Sequence, residues 1–330
     1  MPGITTNIHN GPCKSKYSTE GNFIHMIETN SQFRTNDPDK AHVFFLPFSV
    51  AILVQFVYVR NSHDFTPIRK TVIGYVDVVS NKYPYWNRSL GADHFMLACH
   101  DWVRNCVFFQ GRRLRFQYLI YTKTRFVFSA TQIHRRDLTP PRMYRFRKSI
   151  YKRASSKDLL VGHHHPGGPS WLSLQEDFTG QCFEHWENKD NDIQVHRYLP
   201  KGVSYYEMMR KSRFCLCPSG YEVASPRVVE ALYTGCVPVL ISDHYVPPFS
   251  DVLNWKSFSV EVPPKDIPRL KEILTSISSR LYIRLQRRGV QIRKHSEVHS
   301  PPQRCDIFHM TLHFVWLGRL NRHIRDRYNS

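Results

Sequence analysis

The clearest indication of the fold is RFCLCPSGYEVASPRVVEALYTGCVPVLI, which runs from Arg213 to Ile241. Both of its ends are short apolar runs, and the second is typical of a buried parallel strand. Between them, Ser225 suits the N-cap of a helix, Pro226 its first position, and Gly235 the position just past its end. The sequence therefore predicts a strand–loop–helix–strand unit, the building block of α/β nucleotide-binding domains.

The loop and the helix start have the chemistry of an anion site. Free N–H groups at a helix N-terminus attract phosphate, and Arg227 in the first turn adds a cationic fork for a diphosphate. Glu230 lies one turn further on the same side, where its carboxylate can accept hydrogen bonds from ribose hydroxyls. Ser219 and Gly220 follow the carboxyl end of the strand, where α/β sheets bind ligands. An ordinary helix with a surface Arg–Glu pair is the alternative.

The composition fits a folded protein with one strongly basic segment. The chain has 330 residues with 41% apolar side chains, which excludes wholesale disorder and suits two domains or one large α/β domain. Its formal net charge of +19 suggests a polyanion partner such as nucleic acid. However, residues 103–182 carry 15 Lys and Arg against 4 Asp and Glu. Most of the basicity lies in that segment, which needs its own explanation.

Membrane and targeting signals are weak. Residues 42–59 form the most apolar stretch, but it contains His42, Pro47, Ser49 and Gln55. It predicts a buried strand followed by a core helix rather than a membrane span. The N-terminus lacks the basic start and apolar core of a signal peptide.

The cysteines and the metal-like motifs predict neither a disulfide scaffold nor a metal site. Eight cysteines in 330 residues are too few for such a scaffold. Cys215 and Cys217 lie one residue apart in a predicted strand, so we expect both on one face. No Cys and His group has zinc spacing. The motif Asp190-Asn191-Asp192 lies among polar residues, which favours a solvated loop over a cation site.

Longer motifs surround the decisive stretch and carry a family resemblance. The segment YEVASPRVVEALYTGCVPVLISDHYVPPFSDVLNW, residues 221–255, resembles the signature of the exostosin-like glycosyltransferases, family 47. It is most similar to the plant members that build cell-wall polysaccharides. The resemblance extends over residues 13–25, 33–50 and 85–102, and it resumes between residues 183 and 321.

The resemblance implies a fold, an activity and a compartment. The fold is GT-B, with two Rossmann-like domains on either side of the active site. The activity is inverting transfer of a sugar from a nucleotide sugar, expected to be UDP-linked, to a polysaccharide or glycan, with no further cofactor. The compartment is the Golgi lumen, with the enzyme held at the membrane by an N-terminal anchor that this chain lacks.

The same resemblance assigns the donor-binding residues. Arg227 and Glu230 become ligands of the donor's diphosphate and ribose, and Ser219, Gly220 and Ser225 line the same pocket.

Inverting transfer also requires a general base that deprotonates the acceptor hydroxyl. The matching N-terminal motifs offer Glu20, Asp93, His94, His100 and Asp101. For each of them, membership of a buried polar network that holds residues 85–102 is the alternative. Asn87 begins a glycosylation sequon, which fits a luminal protein, with a packing role for the same residues as the alternative.

Residues 111–182 depart from the family pattern, and a shifted reading frame explains the departure. With suitable third bases, the shifted codons of residues 160–182 read GGPSPSRRSILAFFAGRLHGPV, which resembles the stretch that the family has here. At two positions the choice of third bases is restricted. In the shifted frame, the codons of Met143 and Tyr144 can encode only Val, and those of Trp171 and Leu172 only Ala or Val. Either the gene model contains an error or the gene carries a lesion.

The frame shift predicts the domain organisation. Residues 1–110 are a truncated, acceptor-side Rossmann-like domain, residues 111–182 a poorly ordered basic segment, and residues 183–330 the donor-binding domain with the terminal helices. The lost stretch includes the donor domain's first strand, so one edge of that sheet lacks its partner. We therefore expect the chain as written to be inactive.

Two other functions stay open at this point. A catalytically dead remnant or glycan-binding protein is one. A basic nucleic-acid-binding protein is the other, but the frame shift explains its charge and no recognition motif supports a nucleic-acid partner.

Overall fold

The computed structural model describes residues 19–97, 178–219 and 227–328, except residues 61, 63, 90, 92, 198, 200, 201 and 244. These residues form a mixed α/β structure with parallel sheets and two compact units. Of the described residues, those in 19–97 and 297–328 belong to the first unit and those in 178–296 to the second. The predicted α/β class is confirmed at this level.

The first unit contains helices and a small parallel sheet. Its described elements are α1 Thr19–Thr29, β1 Phe44–Phe45, α2 Val50–Val57, α3 Thr66–Lys82, α4 Tyr85–Ser89, β2 His94–Phe95 and, from the C-terminal part of the chain, a long helix at Ile307–Tyr328. In the sheet, Phe44 pairs with His94 and Phe45 with Phe95. A core of Val50, Ile68 and Val72 lies between α2 and α3.

The long C-terminal helix belongs to the first unit, whereas the sequence placed residues 183–330 together. Its early residue Phe308 is fully buried, and the Phe308 ring lies 5.3 Å from that of Phe23 in α1. This apolar contact explains why residues 297–330 group with the first unit. The prediction missed it because the contact joins residues far apart in sequence.

Residues 42–59 form a short strand and a helix, as predicted. Ser49 caps α2 by accepting a hydrogen bond from the Ile52 N–H at 3.2 Å. The helix is only half buried, because Val50 is inaccessible to solvent while Phe56 is 75% exposed. The expectation of a core helix was therefore wrong for its outer face. Within the described residues, no helix combines the length and apolarity needed to cross a bilayer.

The second unit is built on a three-stranded parallel sheet. Its described elements are α5 Phe178–Trp186, α6 Tyr205–Lys211, β3 Phe214–Pro218, α7 Arg227–Thr234, β4 Val237–Ile241, β5 Val260–Val262, α8 Leu270–Thr275 and α9 Ser279–Ile292. Three 3₁₀ turns accompany them, at Trp255–Ser257, Pro264–Arg269 and Arg293–Ser296. With the C-terminal helix Ile307–Tyr328 as α10, the described helices run from α1 to α10. The strand order is β3-β4-β5.

The predicted strand–loop–helix–strand unit is confirmed as β3, α7 and β4. The two strands pair in parallel from Phe214 opposite Val237 to Pro218 opposite Ile241. Gly235 has φ +77°, the left-handed conformation that favours glycine just past a helix end. The predicted helix start at Ser225 and Pro226 lies outside the described residues.

Both faces of this sheet are buried, which is why its strands read as continuous apolar runs. Phe214 and Leu216 face a core shared with α5, α8 and α9, whereas Cys215 and Cys217 face α6 and α7. The expectation that the two cysteines share a face is thus confirmed. All residues of β3 are buried although it is an edge strand of the sheet in the described part of the chain.

One disulfide joins β3 to the start of β4. The Sγ atoms of Cys215 and Cys236 are 2.06 Å apart, and the bridge spans 21 residues of sequence. This pair could not be predicted from the sequence, because Cys236 meets Cys215 only through the register of the two strands. Cys217 is a free, buried thiol.

The predicted basic segment, residues 111–182, lies almost wholly outside the described residues. Its last part, residues 178–182, forms the first half of α5. Cys182 there is buried in the core beside Phe183. The prediction of poor order was therefore wrong for residues 178–182, where an apolar face packs against the sheet.

Candidate functional site

The candidate site lies where β3 ends and α7 begins. Ser219 directly follows β3 and is buried, and its N–H donates to the Ile241 carbonyl at 3.0 Å. This bond aligns the carboxyl ends of β3 and β4, the edge at which parallel sheets bind ligands. Gly220 and Ser225, which the resemblance assigns to the same pocket, lie outside the described residues.

Arg227 and Glu230 occupy the first turn of α7. Arg227 is partly exposed, whereas Glu230 is only 4% exposed. A buried carboxylate does not fit the alternative of a surface Arg–Glu pair, because burial of an ionised group requires hydrogen bonds or a functional reason.

Glu230 has a partner that the sequence did not reveal. The Tyr205 hydroxyl of α6 donates to Oε2 of Glu230 at 2.8 Å. Tyr205 begins α6, whose N-cap Ser204 accepts a hydrogen bond from the Glu207 N–H. Local signals could place that helix, but only tertiary packing brings Tyr205 to Glu230.

The electrostatics of the site confirm that these groups lie close together. Burial raises the pKa of Tyr205, the Glu230 carboxylate raises it further, and Arg227 opposes the shift. Burial likewise raises the pKa of the Cys217 thiol to about 12, again with Arg227 opposing and Glu230 adding to the shift. Tyr205 and Cys217 are therefore both protonated at neutral pH.

Among the candidates for a general base, Glu20 lies in α1 and is buried. Its Oε2 accepts a hydrogen bond from the Ser49 hydroxyl, the N-cap of α2. Glu20 therefore ties the first turn of α1 to the start of α2.

Asp93 and His94 come together at the start of β2. The Asp93 carboxylate accepts hydrogen bonds from the Ser89 hydroxyl, from Arg88 at 3.0 Å and from Nδ1 of His94 at 2.9 Å. Burial opposes ionisation of Asp93, but these three donors outweigh it and lower the pKa well below its usual range. A carboxylate that is so readily ionised is a weak base.

His94 is enclosed by aromatic rings. It is 3% exposed, and its ring lies 4.7 Å from those of both Phe44 and Trp86. The arrangement is that of the buried network that the sequence left as the alternative for this segment. His100 and Asp101 lie outside the described residues.

The sequon at Asn87 lies in α4, and Asn87 itself is exposed. Ser89 of the same sequon donates to Asp93, so this short helix also has the packing role named above.

Asp190 and Asp192 form an ion-paired loop. Nζ of Lys271 lies 2.6 Å from Oδ2 of Asp190 and 3.1 Å from Oδ2 of Asp192. Oδ1 of Asp190 also accepts hydrogen bonds from the Asp192 and Ile193 N–H groups, which defines the turn. The Lys271 ammonium thus lies between the carboxylates where a cation would bind. In the described residues, no cluster of three or more His, Cys, Asp or Glu suits a metal ion.

A cavity of about 520 Å³ lies in the second unit. It is lined by the loop 188–196 together with Val203 and Met208. Neither Arg227 nor Glu230 reaches it.

Sequence reasoning missed a buried acid in the first unit. Asp306 is 1% exposed, and its Oδ1 accepts hydrogen bonds from the Phe308 and His309 N–H groups at the start of α10. It also lies 3.0 Å from Nδ1 of His309. The signal was present, because Asp before an apolar helix is a typical N-cap.

Comparison with known proteins matches this architecture to one family. The exostosin GT47 domain matches residues 3–277. The chain is 55% identical to the Arabidopsis thaliana protein named Probable glycosyltransferase At5g03795, over 96% of this chain and 61% of that protein. It is 31% identical to Probable glucuronosyltransferase GUT1 of Oryza sativa subsp. japonica, over 80% of this chain and 65% of the relative. It is 29% identical to Probable beta-1,4-xylosyltransferase IRX10 of Arabidopsis thaliana, over 88% and 72% respectively.

The chain therefore belongs to the exostosin GT47 family of glycosyltransferases, and its relatives are plant proteins. The expected family is confirmed. The chain spans about three fifths of the length of the relative At5g03795.

Proposed function

We propose that this protein transfers a sugar from a nucleotide sugar to a cell-wall polysaccharide or related glycan. The observation that carries the proposal is the buried Glu230 beside Arg227 at the carboxyl end of β3, in a member of a glycosyltransferase family. Relatives named as a probable glucuronosyltransferase and a probable xylosyltransferase support a UDP-linked donor and a plant glycan acceptor.

In this proposal the donor binds at the start of α7. The guanidinium of Arg227 forms a bidentate pair with the diphosphate, and Glu230 accepts hydrogen bonds from the ribose hydroxyls. Ser219, Gly220 and Ser225 line the same pocket. As in the GT-B class that the resemblance implies, we assign acceptor binding to the first unit.

The transfer itself is an inverting displacement. The acceptor hydroxyl attacks the anomeric carbon, its proton passes to a general base, and the bond to the nucleotide diphosphate breaks. Arg227 stabilises the negative charge that develops on the leaving diphosphate. Because Asp93 is a weak base and His94 is enclosed by rings, we assign the base to Glu20, His100 or Asp101.

The proposal extends to the Golgi lumen and its membrane. The Cys215–Cys236 disulfide supports it, because disulfides persist in oxidising compartments and are rare in the cytosol. The exposed Asn87 in its sequon supports it as well, since N-glycans are added in the secretory pathway.

A catalytically inactive remnant is the second candidate, and the basic segment at residues 111–182 favours it. We infer from the sequence that this segment departs from the family pattern, although the match to the family domain runs across it. An inactive protein of this kind would retain the donor site on β3 and α7 but would not complete the transfer.

One assay separates these candidates. The purified chain is incubated with radiolabelled UDP-xylose or UDP-glucuronate and β-1,4-xylo-oligosaccharides, while binding of UDP is measured by calorimetry. Labelled oligosaccharide that disappears in Arg227→Gln supports the transferase. UDP binding without transfer supports the remnant, and the absence of both contradicts the donor site.

A further inference from the structure

Tyr205 is the one described side chain seen to hydrogen-bond the Glu230 carboxylate, and nothing in the sequence motifs assigns it a role. Its hydroxyl reaches Glu230 from α6, a different helix, 25 residues earlier in the chain. The contact joins two buried polar groups in an otherwise apolar cluster of Cys217, Val228 and Leu232.

The hydrogen bond has a fixed direction. Burial and the Glu230 carboxylate both raise the pKa of Tyr205, so its hydroxyl remains protonated and must donate to Glu230. A carboxylate that accepts a directional bond at 2.8 Å on Oε2 is fixed in rotation about its last bond. The position of Oε1 is thereby fixed as well.

Oε1 is the atom that a ligand can use. In the part of the chain that the structure describes, no side chain or backbone N–H hydrogen-bonds Oε1 of Glu230, whereas Oε2 is held by Tyr205. A carboxylate oxygen with a fixed position can select a hydroxyl donor at one place and leave a missing hydroxyl uncompensated.

We propose that Tyr205 is a positioning residue that aims Oε1 of Glu230 at the donor's ribose and makes the site selective for ribonucleotides over 2′-deoxyribonucleotides. This inference rests on the proposed function, because it requires Glu230 to contact the donor's ribose. It adds a residue and a specificity that the family motif does not supply.

Tyr206 provides a matched control. It is adjacent to Tyr205, the two ring centroids are 5.3 Å apart, and both side chains pack against the same apolar cluster. Tyr206→Phe therefore removes a hydroxyl from the same helix without removing the bond to Glu230.

The test measures the dissociation constants of UDP and 2′-deoxy-UDP for the full chain by calorimetry. A lost hydrogen bond to a charged group corresponds to roughly a tenfold or greater change in affinity, so the unchanged protein should prefer UDP by about that factor. In Tyr205→Phe the ratio should fall to near one, and in Tyr206→Phe it should stay unchanged.

The ratio distinguishes positioning from stability. A partly unfolded variant loses affinity for both nucleotides by the same factor, so the ratio is unaffected by the folded fraction. If Tyr205→Phe does not fold, Tyr205→His replaces it, because a ring N–H can still donate and should keep part of the preference.

The outcomes are separable. An unchanged preference in Tyr205→Phe, with UDP still bound, overturns the inference and leaves the proposed function standing. Failure of the unchanged protein to bind either nucleotide overturns the proposed function and this inference together.

Discussion

Asp93 and Glu230 are two largely buried carboxylates, and different hydrogen-bond donors give them different chemistry. Asp93 accepts hydrogen bonds from Ser89, Arg88 and His94 and is held as an anion by its neighbours. Among the described residues, Glu230 accepts a hydrogen bond from one neutral donor, Tyr205, and it lies in the same helix turn as the partly exposed Arg227. The first arrangement locks a side chain in place, whereas the second leaves an oxygen for a ligand.

The Asp93 network predicts a pH dependence of stability. Because the folded pKa of Asp93 lies below the unfolded value of about 3.9, its contribution is present above that value and is lost as pH falls toward the folded pKa. Asp93→Asn should therefore lower the free energy of unfolding at pH 6 but by less at pH 3, as measured by urea unfolding.

Asp37→Asn is the control for this experiment. Asp37 pairs with Lys40 at 3.4 Å on the exposed surface, where an ion pair contributes little. Its pH profile should follow that of the unchanged protein. If Asp93→Asn shows an undiminished loss of stability between pH 6 and pH 3, the network does not stabilise the anion.

At the scale of elements, the β3–α7–β4 unit carries both the site and the disulfide. The Cys215–Cys236 bridge closes a loop of 21 residues that contains the whole of α7. A loop of this length corresponds to about 3 kcal/mol of stabilisation through restriction of the unfolded chain.

Removal of the disulfide should therefore lower the free energy of unfolding substantially. Cys215→Ala with Cys236→Ala should lower the free energy of unfolding by about 3 kcal/mol in urea titrations. Cys305→Ser should change it little, because Cys305 is partly exposed and does not belong to this bridge. Alkylation of both Cys215 and Cys236 in the native, unreduced protein, detected by mass spectrometry, would show that the bridge does not form.

Much of this unit could be predicted from sequence because its signals are local. Apolar runs mark β3 and β4, and Gly235 ends the helix between them in the left-handed conformation. The disulfide and the Tyr205–Glu230 bond could not be predicted, because each depends on strand register or on the packing of separate helices. The N-cap role of Asp306 could have been predicted, because this Asp directly precedes an apolar helix.

At the scale of the whole molecule, the chain contains two compact units and belongs to one family. The family resemblance assigns Arg227 and Glu230 to the donor site, and the structure shows Glu230 buried next to the carboxyl end of the sheet. The grouping of the C-terminal helix with the first unit could not be predicted, because it depends on long-range contacts such as that of Phe23 with Phe308. The net charge of +19 does not indicate a basic surface over the whole chain, because residues 103–182 carry most of it.

Calorimetric titration of the full chain with UDP tests whether a nucleotide diphosphate binds at the start of α7. Arg227→Gln should weaken UDP binding by roughly tenfold or more, because a charge-assisted bidentate bond to phosphate is lost. Arg269→Gln, which breaks exposed ion pairs with Glu272 and Asp266, should bind UDP like the unchanged protein. Equal UDP affinity in all three proteins, or no binding in any, would contradict a donor site at the start of α7.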